Sequence, residues 1–266
     1  MMKNFHLNYV KKYNGRLSIL FLHANASSLE SFKYQFSDES LKDYTLWAVD
    51  LPGHGDSAKA ENPSEVYSIK SMGDIIAEFI NQNISQPVVI VGSSLGGNIA
   101  IEASSKIKNL KGLFLCGTAP LSRLEDLGEA FLPHPSNAFS FLDEPNEDQL
   151  NALYELAVGN FNQHYQLIKE DIKRSDNNFR STLLSNITQS LFSGEKEILS
   201  ELSVPVAILQ AENELVVNLE YLKKLKILNL WKNEIQLLNG AHHFMHLTHP
   251  NEFNILLNDF IKEVIR

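Results

Sequence analysis

The run Val88–Gly97 places Ser94 between small residues in the pattern Gly92-Ser93-Ser94-Leu95-Gly96, a G-x-S-x-G spacing. A serine hydroxyl is too weak an acid to attack a carbonyl unaided. The spacing matters only if it presents Ser94 to a base and to amides that take up developing negative charge. The flanking residues meet that need. An apolar run enters the motif and a helical pattern, Leu95–Lys106, leaves it, the strand–turn–helix setting in which a nucleophile stands clear of a sheet. Gly92, Gly96 and Gly97 supply the small residues that so crowded a turn requires, and the amide of Leu95 would point at an oxyanion. As a bare pattern the motif is weak, since at roughly 7% Gly and a similar share of Ser about one chain in ten of this length would carry it by chance. The flanks carry the reading, against a plain Gly-rich turn opening a helix.

A base and an acid are sought on later loops, because the elbow arrangement takes its partners in the order nucleophile, acid, histidine. Gly240-Ala241-His242-His243-Phe244 follows the last strand candidate, and His246 and His249 lie close behind. The clustering also suggests a metal site, yet no carboxylate or cysteine between His242 and Pro250 completes a ligand set, so none is expected. For the acid, Ala211-Glu212-Asn213-Glu214-Leu215-Val216 offers two carboxylates. Glu214 directly precedes apolar residues and is the better placed to turn inward, while Glu212 faces water; a solvated loop charge is the plain alternative for both. A second oxyanion donor is expected after the apolar run Ile19–Leu22, on the loop His23–Ser28, where Ser27 or Ser28 could equally be an ordinary helix cap. Asp50-Leu-Pro-Gly-His-Gly-Asp-Ser57 reads as a tight structural turn.

These residues need a scaffold, and the pattern supplies one. Short β-rich runs at Phe5–Val10, Leu17–His23, Thr45–Leu51, Val88–Gly92, Leu113–Gly117, Val206–Leu209 and Ile235–Leu238 alternate with longer helical patterns. The helical patterns fall near Ser28–Phe36, Ile69–Asn81, Leu95–Lys106, Leu219–Leu225 and Asn251–Ile265. That alternation is the signature of a parallel sheet covered on both faces. The first two runs flank Asn14–Gly15 and read as an opening hairpin. From Pro120 to about Ser200 the rhythm breaks: helical patterns at Leu150–Ala157 and Tyr165–Arg174 and many aromatics, but no strand, suggest a helical lid over the sheet's carboxyl edge.

Composition bounds the rest. The 266 residues, 44% of them hydrophobic, can form one large core without staples, and a charged share of 21% excludes disorder and coiled coil. A net charge of −9 argues against nucleic acid and anionic membranes as partners. The single thiol, Cys116, fits a reducing compartment. Neither a signal-peptide stretch nor an apolar run near the ~20 residues of a membrane span occurs, so a cytoplasmic location is expected.

Together, D-x-P-G-x-G-x-S at Asp50–Ser57, the elbow at Gly92–Gly96 and G-A-x-H-F at Gly240–Phe244 resemble the α/β-hydrolase superfamily over essentially the whole chain. The resemblance implies an α/β fold with a mostly parallel central sheet flanked by helices. It divides the chain into a core of residues 1–119 and 201–266 and a helical cap inserted at about residues 120–200. It puts the catalytic histidine on His243 and the acid on Glu214, with glutamate where aspartate is more frequent. The usual H-G-x of the oxyanion loop becomes His23-Ala24-Asn25, so the amides of Leu95 and Asn25 are the expected oxyanion donors. Within the superfamily, His23–Ser28, Gly96–Glu102, Gly112–Thr118 and Asn229–Trp231 are most similar to N-acyl-homoserine-lactone hydrolases, a quorum-quenching group that also uses glutamate. The expected activity is therefore hydrolysis of an ester or lactone through an acyl-enzyme, without cofactor or metal, in a monomer or homodimer. Tyr154, Ser93 and His23 are the candidate substrate contacts, and a part for His242 or His246 stays open. The rivals are a generic carboxylesterase, a carbon–carbon bond hydrolase or perhydrolase, and a ligand-binding homologue without turnover.

Overall fold

The structure is a computed structural model and describes residues 5–265. Its strands are β1 (Tyr9–Lys12), β2 (Ser18–Leu22), β3 (Thr45–Val49), β4 (Val88–Ser93), β5 (Leu110–Cys116), β6 (Val206–Ala211) and β7 (Gln236–Leu238). They form one sheet in the order β1-β3-β2-β4-β5-β6-β7, parallel throughout except for β1. Side chains alternate along each strand, which is why the central strands are apolar at nearly every position. Leu20, Leu22, Ile90, Leu113 and Ile208 join one buried cluster, while Ile19, Phe21, Val91, Phe114 and Leu209 join another.

The first cluster is closed by α1 (Ile69–Asn83) and α2 (Leu95–Ser104), the second by the C-terminal α7 (Pro250–Val264). The hydroxyl of Ser68 caps α1 by accepting from the amide of Ser71 at 3.0 Å. On α7, Phe253, Leu257, Phe260 and Ile261 recur at helical spacing and are buried against β5 and Trp231.

Between β5 and β6 the chain forms α3 (Glu147–Val158), α4 (Tyr165–Arg174), α5 (Phe179–Thr188) and α6 (Glu195–Glu201), with shorter turns before them. The capping box of Asn146 and Gln149 starts α3, and Gly159 ends it at φ +56°. Leu153, Leu156, Ile168 and Ile172 bury their apolar faces with Ala24 and Phe244 of the core. None of the sheet's strands comes from residues 120–200; only an isolated bridge joins Phe131 to Val217. No helix among the described residues is long and apolar enough to cross a membrane.

One expectation fails. The opening hairpin does not form: β1 runs antiparallel to β3, with Tyr9 opposite Val49, and β2 lies between β3 and β4. All five residues of β2 are buried, which suits a central position, whereas all four of β1 are exposed, which suits an edge. Asn14–Gly15 is therefore not a hairpin turn. A Cβ on Gly15 would lie 2.1 Å from the carbonyl oxygen of Asp43, so the glycine serves a close crossing of main chains before β3.

Phe260 is fully buried between Phe114 and Trp231, with ring centroids 5.6 and 5.5 Å away. Phe260→Ala is expected to cost about 3–5 kcal/mol of stability, read by chemical denaturation, because the cavity cannot collapse between a helix and a sheet.

Candidate active site

The parallel register brings the carboxyl ends of five strands to one edge. Leu22 pairs with Val49 and Gly92, Ser93 with Cys116, and Cys116 with Leu209. The loops leaving this edge therefore carry Asn25, Ser94, Gly117 and Glu214 side by side, and β7 delivers His243 next to them.

Ser94 has φ 50° and ψ −117°, a conformation that L-residues avoid and that places its side chain above the sheet at the start of α2. The turn is held from outside: the Ser94 amide donates to the carbonyl of Cys116 at 2.8 Å, and the Ser94 carbonyl accepts from Gly97 at 2.8 Å. As the first residue of α2, Leu95 has an amide without an acceptor in the helix.

His243 and Glu214 form a desolvated pair, their side chains 6% and 4% exposed. Nδ1 lies 2.9 and 3.0 Å from the two carboxylate oxygens, and since a carboxylate only accepts, Nδ1 carries the proton. The ring is thereby fixed in the tautomer whose Nε2 is free to accept. The amide of Val216 donates to Oε1 of Glu214 at 2.9 Å and holds that carboxylate inward. Glu212 is exposed, as its position suggests, but it is not idle. It accepts from the Gly240 amide at 2.7 Å, and the Asn213 amide donates to Ala241 at 3.0 Å, so the acid loop is laced to the histidine loop.

Ser94, Leu95, Asn25, Gly117 and His243 line one cavity of about 330 Å³. Its remaining wall is almost wholly apolar: Leu121, Phe131 and Leu183 pack with the cluster closed by α1 and α2, and Leu153, Ile168 and Phe244 with the cluster that joins α3 and α4 to Ala24. Asn25 also reaches the cap, its Nδ2 donating to the carbonyl of Ser140 at 2.9 Å.

Three candidate substrate contacts fall outside this lining. Tyr154 lies on a flank of α3 outside the cavity wall, buried against Tyr165 with ring centroids 4.9 Å apart, and burial beside Glu147 pushes its hydroxyl up to about 12. Ser93 points away because neighbouring residues of a strand end face opposite sides of the sheet, and it is fully buried. His23 is also fully buried; Nε2 accepts from the Leu51 amide at 2.9 Å and Nδ1 donates to Ala24 at 2.8 Å, so it ties β2 to β3. Burial lowers its pKa against the opposing pull of Asp50, which keeps it neutral.

His242 and His246 are likewise off the wall. His242 lies against Gly159 of the cap, and burial lowers its pKa. His246 stacks between Phe32 and Phe244 at 4.7 and 5.7 Å, and burial takes its pKa down to about 3. Among the described residues no three His, Cys, Asp or Glu side chains gather as metal ligands would.

Two contributors escaped sequence reasoning. Asn98, one turn after Ser94, lines the cavity, and its i+4 spacing from Ser94 was the available signal. The other is Gly117, at φ +54° after β5, where a Cβ would lie 2.9 Å from Nδ1 of His243 and 3.4 Å from Oε2 of Glu214.

Comparison with known proteins agrees with this architecture. The sequence profile described as the alpha/beta hydrolase fold matches residues 18–250, and the chain belongs to that family. A putative esterase/lipase of Mycoplasma pneumoniae is 25% identical over 272 aligned positions, covering 96% of this chain and 93% of the relative. A crystal structure of the N-acyl homoserine lactonase AidH with N-butanoyl homoserine superposes with a TM-score of 0.90 at 26% identity, covering 98% of this chain and 94% of that one. A putative aryl esterase from Burkholderia cenocepacia shares the fold at 21% identity, with a TM-score of 0.83 and coverage of 97% and 95%.

Gly117→Ala is expected to displace the imidazole and to lower kcat/KM on a simple ester at least about tenfold, because small misplacements of reacting groups carry large rate costs. The left-handed backbone adds about 1–2 kcal/mol of destabilisation, separable by thermal melting.

Proposed function

We propose that the protein hydrolyses carboxylic esters or lactones through an acyl-enzyme formed on Ser94. The reading rests above all on one observation: a strained Ser94 and a Glu214-anchored His243 share the wall of one apolar cavity. His243 takes the hydroxyl proton as Ser94 attacks the carbonyl carbon, while Glu214 holds the tautomer and stabilises the imidazolium. The amides of Leu95 and Asn25 receive the oxyanion; loss of one such donor typically costs about 10²–10³ in rate. The imidazolium protonates the leaving oxygen, and a water activated by the same nitrogen cleaves the acyl-enzyme. A carboxylate nucleophile, as dehalogenation or epoxide opening would need, is not at this position.

Within this class an N-acyl homoserine lactone is the favoured substrate. Similarity to AidH along nearly the whole chain supports it, as does a cavity whose apolar wall suits an acyl chain. A generic carboxylesterase is the second reading, favoured by the resemblance to the mycoplasma esterase/lipase. Since Tyr154 lies outside the cavity wall, it does not hold the freed hydroxyl of an opened lactone.

Ser94→Ala is expected to lower ester and lactone turnover by about 10⁴-fold or more while leaving the melting temperature near that of the parent. Glu214→Gln should lower kcat by about 10³–10⁴-fold with little change in KM. Release of acid from N-hexanoyl homoserine lactone, compared with hydrolysis of p-nitrophenyl butyrate, separates the two readings: a higher kcat/KM on the simple ester decides for the esterase. Retained turnover in the serine variant would remove the mechanism.

A further inference from the structure

The cap leaves the core after β5 and returns to it at α6, and both limbs converge on the helix that begins at Ser94. On the outgoing limb, the carbonyl of Ala119 accepts from Nδ2 of Asn98 at 2.8 Å. On the returning limb, the same nitrogen donates to Oε2 of Glu195 at 2.7 Å. That oxygen also accepts from the Leu121 amide at 2.8 Å, and the Glu195 amide donates back to the Leu121 carbonyl at 2.9 Å. One turn further along α2, Glu102 accepts from the amide of Ser193. One carboxyl thus joins three chain segments, and Asn98, Ala119 and Leu121 also line the cavity beside Ser94.

The chemistry of this node is unusual. Glu195 is fully buried, and among the described residues no cation pairs with it. Among the described residues its Oε1 has no hydrogen-bond partner, and neither has Oε2 of the buried Glu102. Two like charges in so dry a place are costly, so one carboxyl must keep its proton. Burial, reinforced by the charge of Glu102, pushes Glu195 up to about 8 against the pull of its Asn98 and Leu121 donors. Tyr221, whose hydroxyl donates to Pro120, is acted on by the charges of Glu195, Asp126, Glu129 and Glu197, and Lys196 pairs with Asp126.

We propose that Glu195 is a positioning residue for the active site: its carboxyl fastens both limbs of the cap to the nucleophile helix, and a negative charge placed there, beside Glu102 in a dry site, loosens the wall formed by Asn98 and Leu121 although both donors remain. It touches no reacting atom and acts only through those two residues. The proposal rests on Ser94 being the nucleophile, so its test includes readouts that need no turnover.

Stability gives the first. The folded protein keeps a proton that an unfolded Glu releases near its ordinary value, so stability falls as pH rises from there and levels off above about 8. Glu195→Gln removes this titration while keeping an oxygen for Asn98 and Leu121, so the melting temperature of the parent is expected to drop against that of the variant between about pH 5 and about pH 8. Amide hydrogen exchange gives the second. Corrected for intrinsic rates, Leu121 and Glu195 are expected to lose about tenfold or more of their protection above about pH 8 in the parent and not in Glu195→Gln.

In turnover of p-nitrophenyl hexanoate, KM is expected to rise over the same alkaline range in the parent. Glu195→Ala, which leaves the buried donors unpaired, should raise KM about tenfold already at neutral pH with kcat less affected. Glu195→Gln should restore KM and abolish its alkaline rise. Failure of a serine-directed phosphonate to label Ser94 would defeat the hydrolase reading alone. Identical stability and exchange profiles in the parent and Glu195→Gln would overturn the positioning role whatever the activity, even if Glu195→Ala does not fold.

Discussion

Close approach of main chain to main chain at the end of β4 is the constraint on which the site depends. A Cβ on Gly96 would lie 2.2 Å from the carbonyl oxygen of Leu22, and one on Gly92 would lie 2.5 Å from Cα of Gly97. With no side chains to separate them, α2 begins directly against the ends of β2 and β4. The turn has then no room for an ordinary conformation at Ser94. The strain at that residue, of order 1–3 kcal/mol for such a backbone, is maintained by the packing of the sheet rather than by local preference. Buried strands on both sides make this affordable, since a flexible support would relax the turn and lay the hydroxyl down.

From that point the remaining groups follow by register. The parallel pairing of β4 with β5 sets Cys116 beside Ser93, its carbonyl takes the amide of Ser94, and the bare Gly117 after it leaves space for the imidazole. Glu214 reaches the same place from β6 because Val216 holds its carboxylate, and Glu212 fastens the loop that carries His243. Two carboxylates two residues apart thus differ in role: one faces the dry side of the loop, where an imidazole needs a partner, and the other faces the neighbouring loop.

What could be read in the sequence was what is local. The strand entering Gly92 and the helix leaving Gly96 have periods that survive without tertiary context, and the loops after β6 and β7 are marked by their own polar residues. Pairing is not local. Whether β1 joins β2 or β3 depends on which edge of the finished sheet is free, and the turn-like Asn14–Gly15 gave the wrong answer. Direction along a strand end was lost in the same way for Ser93 and His23, whose neighbours in sequence reach the cavity while they face the core. On α3 the wall is made by Leu153, Leu156 and Ala157, and Tyr154 sits on the adjacent flank; an amphipathic pattern shows that a face is buried but not against what.

The cap adds a division of labour between polar and apolar contacts. The cavity itself is nearly featureless, so it can exclude water and accept a chain but cannot fix its own roof. Fixing is done at the seam between cap and core, where the bonds are polar and buried. The Tyr67 hydroxyl donates to Asp176 at 2.6 Å, the Asp176 amide donates to Gly53 at 2.7 Å, and the Phe244 amide donates to Ala157 at 2.7 Å. Asp171 of α4 is buried beside Ser28 and Asp50, and burial pushes it up to about 7 against the pull of Ser28 and Arg174. Ionisation of an acid as buried as Asp171 or Glu195 adds charge where water is scarce, which is why burial is the largest influence on both. The apolar wall is indifferent to charge, so the directional contacts that hold the roof over Ser94 lie at its edges.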